Sequence, residues 1–183
     1  MKFKIFALII FALFIYGCAT NLDLKTKYAT QELSQVTTIG TEIGNIPPDF
    51  TVVTTDGQVA SLSDFTKNHK PVIVYFMATW CPYCAQDYAA LSKVYKNYEN
   101  NVSIVSLSLD LNEDLILLGK YKRKYPELQK MILAAGKSGT LINYKVTRTT
   151  TKYAIDKNGK IIYAGYGAFN EEEWKQLLEA LAK

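Results

Sequence analysis

Histidine and cysteine are scarce in this chain, which holds one His, His69, and three Cys, Cys18, Cys81 and Cys84, among 183 residues. A structural zinc site needs four ligands, and two cysteines beside one histidine do not supply them. Charge of one sign is not in excess either. Lys and Arg number 21 against 17 Asp and Glu, and setting aside Lys2 and Lys4 at the N-terminus leaves 19 basic residues. With no basic stripe interleaved with aromatics, no nucleic acid partner is expected. Long hydrophobic runs are also missing. The uncharged stretch from Ile5 to Tyr16 is shorter than the roughly 20 apolar residues that a membrane-spanning helix needs. Internal repeats and low-complexity tracts are absent, so one folded domain is expected.

What is present at the N-terminus is a leader pattern. Met1-Lys2-Phe3-Lys4 is followed by the apolar segment and then by Gly17-Cys18, the n-region and h-region of a secretory signal. Ile15-Tyr16-Gly17-Cys18 resembles a bacterial lipobox, which implies cleavage before Cys18 and lipid attachment to it. Tyr16 departs from the small or aliphatic residue usual there, and an ordinary signal peptide or an uncleaved anchor remains the alternative. Ala19, rather than Asp, implies the outer membrane if the cell has two. The expected division is a signal peptide at 1–17, a polar tether at 18–45 and a folded domain at 46–183. Lipidation of Cys18 leaves Cys81 and Cys84 as an even pair facing an oxidising, periplasm-type compartment.

Within the domain, Phe50 to Thr54 and Gln58 to Ala60 flank the turn Asp56-Gly57, and Ser61 to Asp64 reads as a short capped helical turn. Val72 to Met77 is β-branched and aromatic throughout, as expected of a parallel strand buried on both faces. Cys84, Tyr88, Leu91, Tyr95 and Tyr98 recur at helical spacing. Val102 to Leu109 reads as a second strand, and a helix is expected from about Asn112 to Tyr125, stopped by Pro126. Residues 152–155 and 160–165 flank Asp156-Lys157-Asn158-Gly159 as a hairpin. Asn170 and Glu173 form a capping-box pair before the apolar face of Trp174, Leu177, Leu178 and Leu181. The fold class is α/β: a mixed central sheet flanked by helices on both faces, a thioredoxin-like sandwich.

The chemistry centres on Cys81-Pro82-Tyr83-Cys84, after Trp80, at a strand-to-helix junction. Cys81 at a helix N-terminus is favoured as thiolate by unpaired backbone N–H groups and the macrodipole, which makes it the attacking nucleophile. Pro82 suits the first helical position. Cys84, one turn further in, is shielded and placed to resolve a mixed disulfide. A structural disulfide here closes too short a loop to stabilise much. No cofactor beyond this redox-active pair is called for.

From Pro47 to Lys183 the sequence resembles the TlpA-like and ResA-like thiol-disulfide oxidoreductases of the thioredoxin superfamily. The carrying residues are Pro48-Asp49-Phe50, Asp56-Gly57, Ser61-Leu62-Ser63-Asp64-Phe65, Phe76-Met77-Ala78-Thr79-Trp80-Cys81-Pro82-Tyr83-Cys84, Tyr144-Lys145-Val146 and Ile155-Asp156-Lys157-Asn158-Gly159-Lys160. The resemblance implies a protein-disulfide oxidoreductase acting on exported thiol or disulfide proteins, apocytochrome c among the implied clients, with a membrane electron donor if it reduces them. Two departures stand out. The family commonly has Glu three residues after the second cysteine and Pro two further on, where this chain has Asp87 and Ala89. Asp87 lies on the helix face of Cys84 and is a candidate proton acceptor, or else a solvated acid stabilised by the helix dipole. Thr150 stands where the superfamily has a cis-proline; a trans bond is expected there, with the Thr150 hydroxyl near the sulfurs and Arg148 adding positive charge.

Three other classes compete. Soft thiolates suit copper(I), so a metal-binding module is one alternative. Thioredoxin-like copper handlers, however, have three residues between their cysteines and a His downstream, whereas His69 is upstream. A peroxidase of the peroxiredoxin type wants Thr at the position of Ala78. A binding module that retains the fold without reactive thiols is the last alternative.

Overall fold

The computed structural model describes residues 38–183. The leader at 1–17, the lipidation candidate Cys18 and most of the tether segment lie outside the described residues. Thr38 to Asn45, at the end of that segment, are hydrogen-bonded to the domain: Gly44 N donates to Ile161 O at 2.8 Å and Ile161 N to Asn45 O at 2.9 Å.

The organising element is β3, Val72–Met77, whose six residues are all buried. It pairs in parallel with β4, Ser103–Ser108, which pairs in parallel with β5, Ile132–Ala135. On its other side β3 pairs antiparallel with β6, Thr151–Ile155, followed by β7, Ile161–Gly165. The sheet order is β5-β4-β3-β6-β7, parallel first and antiparallel last. A separate antiparallel pair, β1 (Thr51–Val53) and β2 (Val59–Ser61), forms the hairpin around Asp56-Gly57.

Because side chains alternate along a strand, β3 feeds two cores. Ile73, Tyr75 and Met77 pack with Cys84, Tyr88, Leu91, Leu118, Tyr121, Trp174 and Leu178. These come from α2 (Pro82–Val94), α3 (Leu115–Lys122) and α5 (Glu171–Ala182). Val72, Val74 and Phe76 pack on the opposite face with Phe50, Val52, Leu62 and Tyr144, beside α1 (Leu62–Thr66) and α4 (Ser138–Asn143).

The two caps form as the sequence indicates: Ser61 with Asp64 at α1, and Asn170 with Glu173 at α5. α3 is shorter than the expected 112–125. It begins at the Asp114 cap, whose side chain accepts from Leu117 N at 2.7 Å, because Asp110 to Glu113 are occupied in a turn. β5 and α4 carry no clear pattern in the sequence; Ile132-Leu133-Ala134-Ala135 is short and half alanine, and it is held as a strand by β4 and by the Thr54–Ala134 bridge.

Candidate active site

The C-terminal end of β3 runs through Ala78 and Thr79 directly into α2, and Cys81 caps that helix. Cys81 has extended backbone (φ −80°, ψ 116°), Pro82 takes the first helical position, and Cys81 Sγ accepts the Cys84 N–H at 3.2 Å. Neither thiol is in a disulfide. Cys81 is only 2% exposed, since its side chain folds back over the first turn of α2, while its neighbours Trp80 and Tyr83 are 64% and 62% exposed.

Two acids fix this corner. Glu113, buried, accepts from Thr79 N at 2.7 Å and from the hydroxyls of Thr79 and Ser108, so the turn before the cysteines is tied to the end of β4. Asp110 Oδ2 accepts the Trp80 indole N–H at 2.9 Å. Hydrogen bonds from the Asn112 backbone and from Trp80 hold the Asp110 carboxyl below the usual carboxylate range.

Cys84 faces inward. Burial, reinforced by the hydrogen bond with Cys81, pushes its thiol up to about 12, against the opposing pull of the Ala78 N–H and the Tyr75 hydroxyl. Asp87 lies one turn along the same face and is fully buried rather than solvated. Its Oδ1 accepts from Phe169 N at 2.7 Å and Trp174 Nε1 at 3.1 Å, and its Oδ2 from the Tyr75 hydroxyl at 2.9 Å and Lys152 Nζ at 2.7 Å. Burial raises its carboxyl and the Lys152 charge draws it back, the net shift being upward. Burial lowers the Lys152 ammonium, opposed by Asp87.

The register Phe76↔Thr151 sets Thr150 opposite Met77, at the same sheet end as the cysteines. No cis peptide bond occurs among the described residues, and Thr150 instead adopts φ +62°, a left-handed conformation that costs a β-branched residue about 1–2 kcal/mol. Its hydroxyl donates to Thr149 O at 2.6 Å and accepts from Gly167 N at 3.0 Å, so it is engaged between its own loop and the segment that follows β7. The Arg148 guanidinium stacks on the Tyr166 ring at 4.2 Å. Tyr75, Glu113 and Lys152 were not singled out from sequence. Tyr75 sits in a strand whose pattern signals burial alone and Lys152 in one arm of a hairpin, and their meeting depends on a strand pairing that spans most of the domain.

A mixed sheet with a Cys-x-x-Cys pair opening the helix after its central parallel strand defines a thioredoxin-fold protein. The comparisons with known proteins narrow this. The sequence matches the AhpC/TSA family over residues 43–164. It is 30% identical over 144 residues to the thiol-disulfide oxidoreductase ResA of Bacillus cereus, covering 76% of this chain and 79% of that protein. It is 28% identical over 162 residues to the thioredoxin-like protein YneN of Bacillus subtilis, covering 87% and 89%. A thioredoxin-family thiol:disulfide interchange protein from Chlorobium tepidum superposes with a TM-score of 0.67 at 20% identity, over 78% of this chain and 99% of that one, and supports the fold. The chain belongs to the AhpC/TSA family and is a ResA-like thiol-disulfide oxidoreductase of the thioredoxin superfamily.

Proposed function

We propose that this protein exchanges disulfides with partner proteins through a Cys81–Cys84 dithiol/disulfide couple, outside the cytoplasm and tethered to a membrane. The observation that carries the reading is the pairing of a helix-capping Cys81, in contact with the Cys84 N–H, with an inward Cys84 backed by a buried acid. Cys81 attacks a partner disulfide and forms a mixed disulfide; Cys84 then attacks Cys81, and the partner leaves reduced. The partner approaches beside the exposed rings of Trp80 and Tyr83, since Cys81 itself is nearly covered. Asp87 receives the proton of the resolving thiol. Exported proteins, with apocytochrome c as one client class, and a membrane electron donor complete the cycle when the enzyme reduces.

The location rests on the leader-like Met1–Tyr16 segment and on Cys18 as the lipid-bearing residue. Among the described residues no helix is long and apolar enough to cross a membrane.

The test is trapping in the producing cell. Cys84→Ser should accumulate mixed disulfides on Cys81 that dissolve in reductant, and Cys81→Ser should accumulate none. Titration across glutathione buffers, read by alkylation and mass spectrometry, should show one reversible two-electron couple. Equal labelling of both thiols at every buffer ratio, with no trapped partner, overturns the reading; stoichiometric copper retained by the reduced protein turns it toward the metal-binding alternative.

A further inference from the structure

Tyr75 and Lys152 are directly paired residues in the antiparallel β3–β6 register, so both side chains leave the same face of the sheet. There they meet Asp87 of α2 and Trp174 of α5. Lys152 Nζ reaches Asp87 Oδ2 at 2.7 Å, Gly167 O at 2.6 Å and Thr150 O at 3.2 Å, which uses all three ammonium donors. Its charge also lies over the rings of Phe169, Tyr75 and Trp174, at 4.4, 5.0 and 5.3 Å.

Asp87 is equally filled. A carboxylate has about four lone-pair sites, and Phe169 N, Trp174 Nε1, Tyr75 and Lys152 take them. A proton leaving Cys84 therefore meets no bare oxygen on Asp87 and must arrive through a group already bonded there. Tyr75 is that group: its hydroxyl donates to Asp87 Oδ2 at 2.9 Å, and its side chain packs in the same buried cluster as Cys84, whose thiol it acts on electrostatically.

We propose that Tyr75 relays the Cys84 proton to Asp87, and that Lys152 is the positioning residue that holds Asp87 charged and aligned to receive it. The inference rests on the thiol–disulfide exchange reading. In the step, the Cys84 thiol proton passes to the Tyr75 oxygen while the Tyr75 hydroxyl proton passes to Asp87 Oδ2. Cys84 becomes a thiolate, Asp87 a neutral acid, and Lys152 stays a cation. The thiolate attacks Cys81 sulfur, the Cys81–Cys84 bond forms, and the bond from Cys81 to the partner breaks. The partner sulfur leaves with the electron pair and takes a proton from water. The dithiol has lost two electrons and the partner disulfide has gained them.

Burial and the Asp87 charge hold the Tyr75 phenol well above its ordinary range, so it passes a proton on without accumulating as phenolate. The other titratable groups acting on this cluster are Cys81 at the cap of α2, Tyr88 on α2, Tyr121 on α3, Tyr163 on β7 and Glu173 on α5. Burial raises all three of those tyrosines.

The test mixes the reduced full-length protein, with Cys18→Ser in every variant so that only Cys81 and Cys84 react, with an aromatic disulfide reagent whose released thiolate absorbs visible light. Release comes in two phases, attack by Cys81 and resolution by Cys84. In Tyr75→Phe, which keeps the ring packing, the ratio of second-phase to first-phase rate should fall about a hundredfold near neutral pH, the low end of general-base effects. The deficit should shrink as hydroxide takes over at alkaline pH. Lys152→Met should lower the same ratio and displace the rise of its pH profile. A Tyr75→Phe protein with native near-ultraviolet circular dichroism and the wild-type ratio at every pH overturns the relay and leaves the exchange reading standing. A wild-type protein that releases no second equivalent overturns both.

Discussion

Asp87 and Lys152 carry opposite charges at zero exposure, and stripping water from such groups costs several kcal/mol per ion. The cost is offset only because each fills its hydrogen-bonding sites, so removing one partner strands the other. Asp87→Ala should lower unfolding free energy by about 3–5 kcal/mol in urea melts, and Asp87→Ala with Lys152→Met should lose clearly less than the two single changes summed. The acid was legible in sequence, because the spacing from Cys84 to Asp87 puts both on one helix face wherever the helix packs. Its state was not. Whether Asp87 is solvated or buried depends on Trp174 and Phe169 of a distant helix start and on Lys152, which follows three threonines and reads locally as one more polar residue at the start of a strand.

At the scale of elements, the start of α5 does two things. The Asn170–Glu173 capping box satisfies its own end, and the residue just before it, Phe169, donates its N–H to Asp87. Asn170→Ala should cost about 1 kcal/mol and lower the melting temperature by about 2–4 °C in a thermal scan. Strong local signals named most elements: caps for α1 and α5, a wholly apolar run for β3, and a four-residue turn for the β6–β7 hairpin. β5 and α4 had none, because their form is imposed by neighbours. At the end of β5 a methyl group on Gly136 would stand 2.0 Å from Ser108 O, a closeness that no pattern within the segment announces.

For the molecule as a whole, the two-core sheet delivers every reactive group to one end: the β3 terminus, the α2 start and the loop before β6. Exposed Trp80, fixed by Asp110, stands beside the cysteines, where the proposed function brings a protein partner into contact but a small reagent need not touch it. Trp80→Ala should reduce kcat/KM toward a disulfide-bonded protein about tenfold, or ~1.4 kcal/mol, while changing the rate with a small disulfide far less. The left-handed Thr150 has a consequence of its own. Proline is confined near φ −65°, so Thr150→Pro cannot keep the present path of the chain, and moving it withdraws a carbonyl from the Lys152 ammonium. Threonine in the loop and lysine in the strand are thus coupled through a single carbonyl, so that a change in the path of the chain at residue 150 is felt at the buried cation.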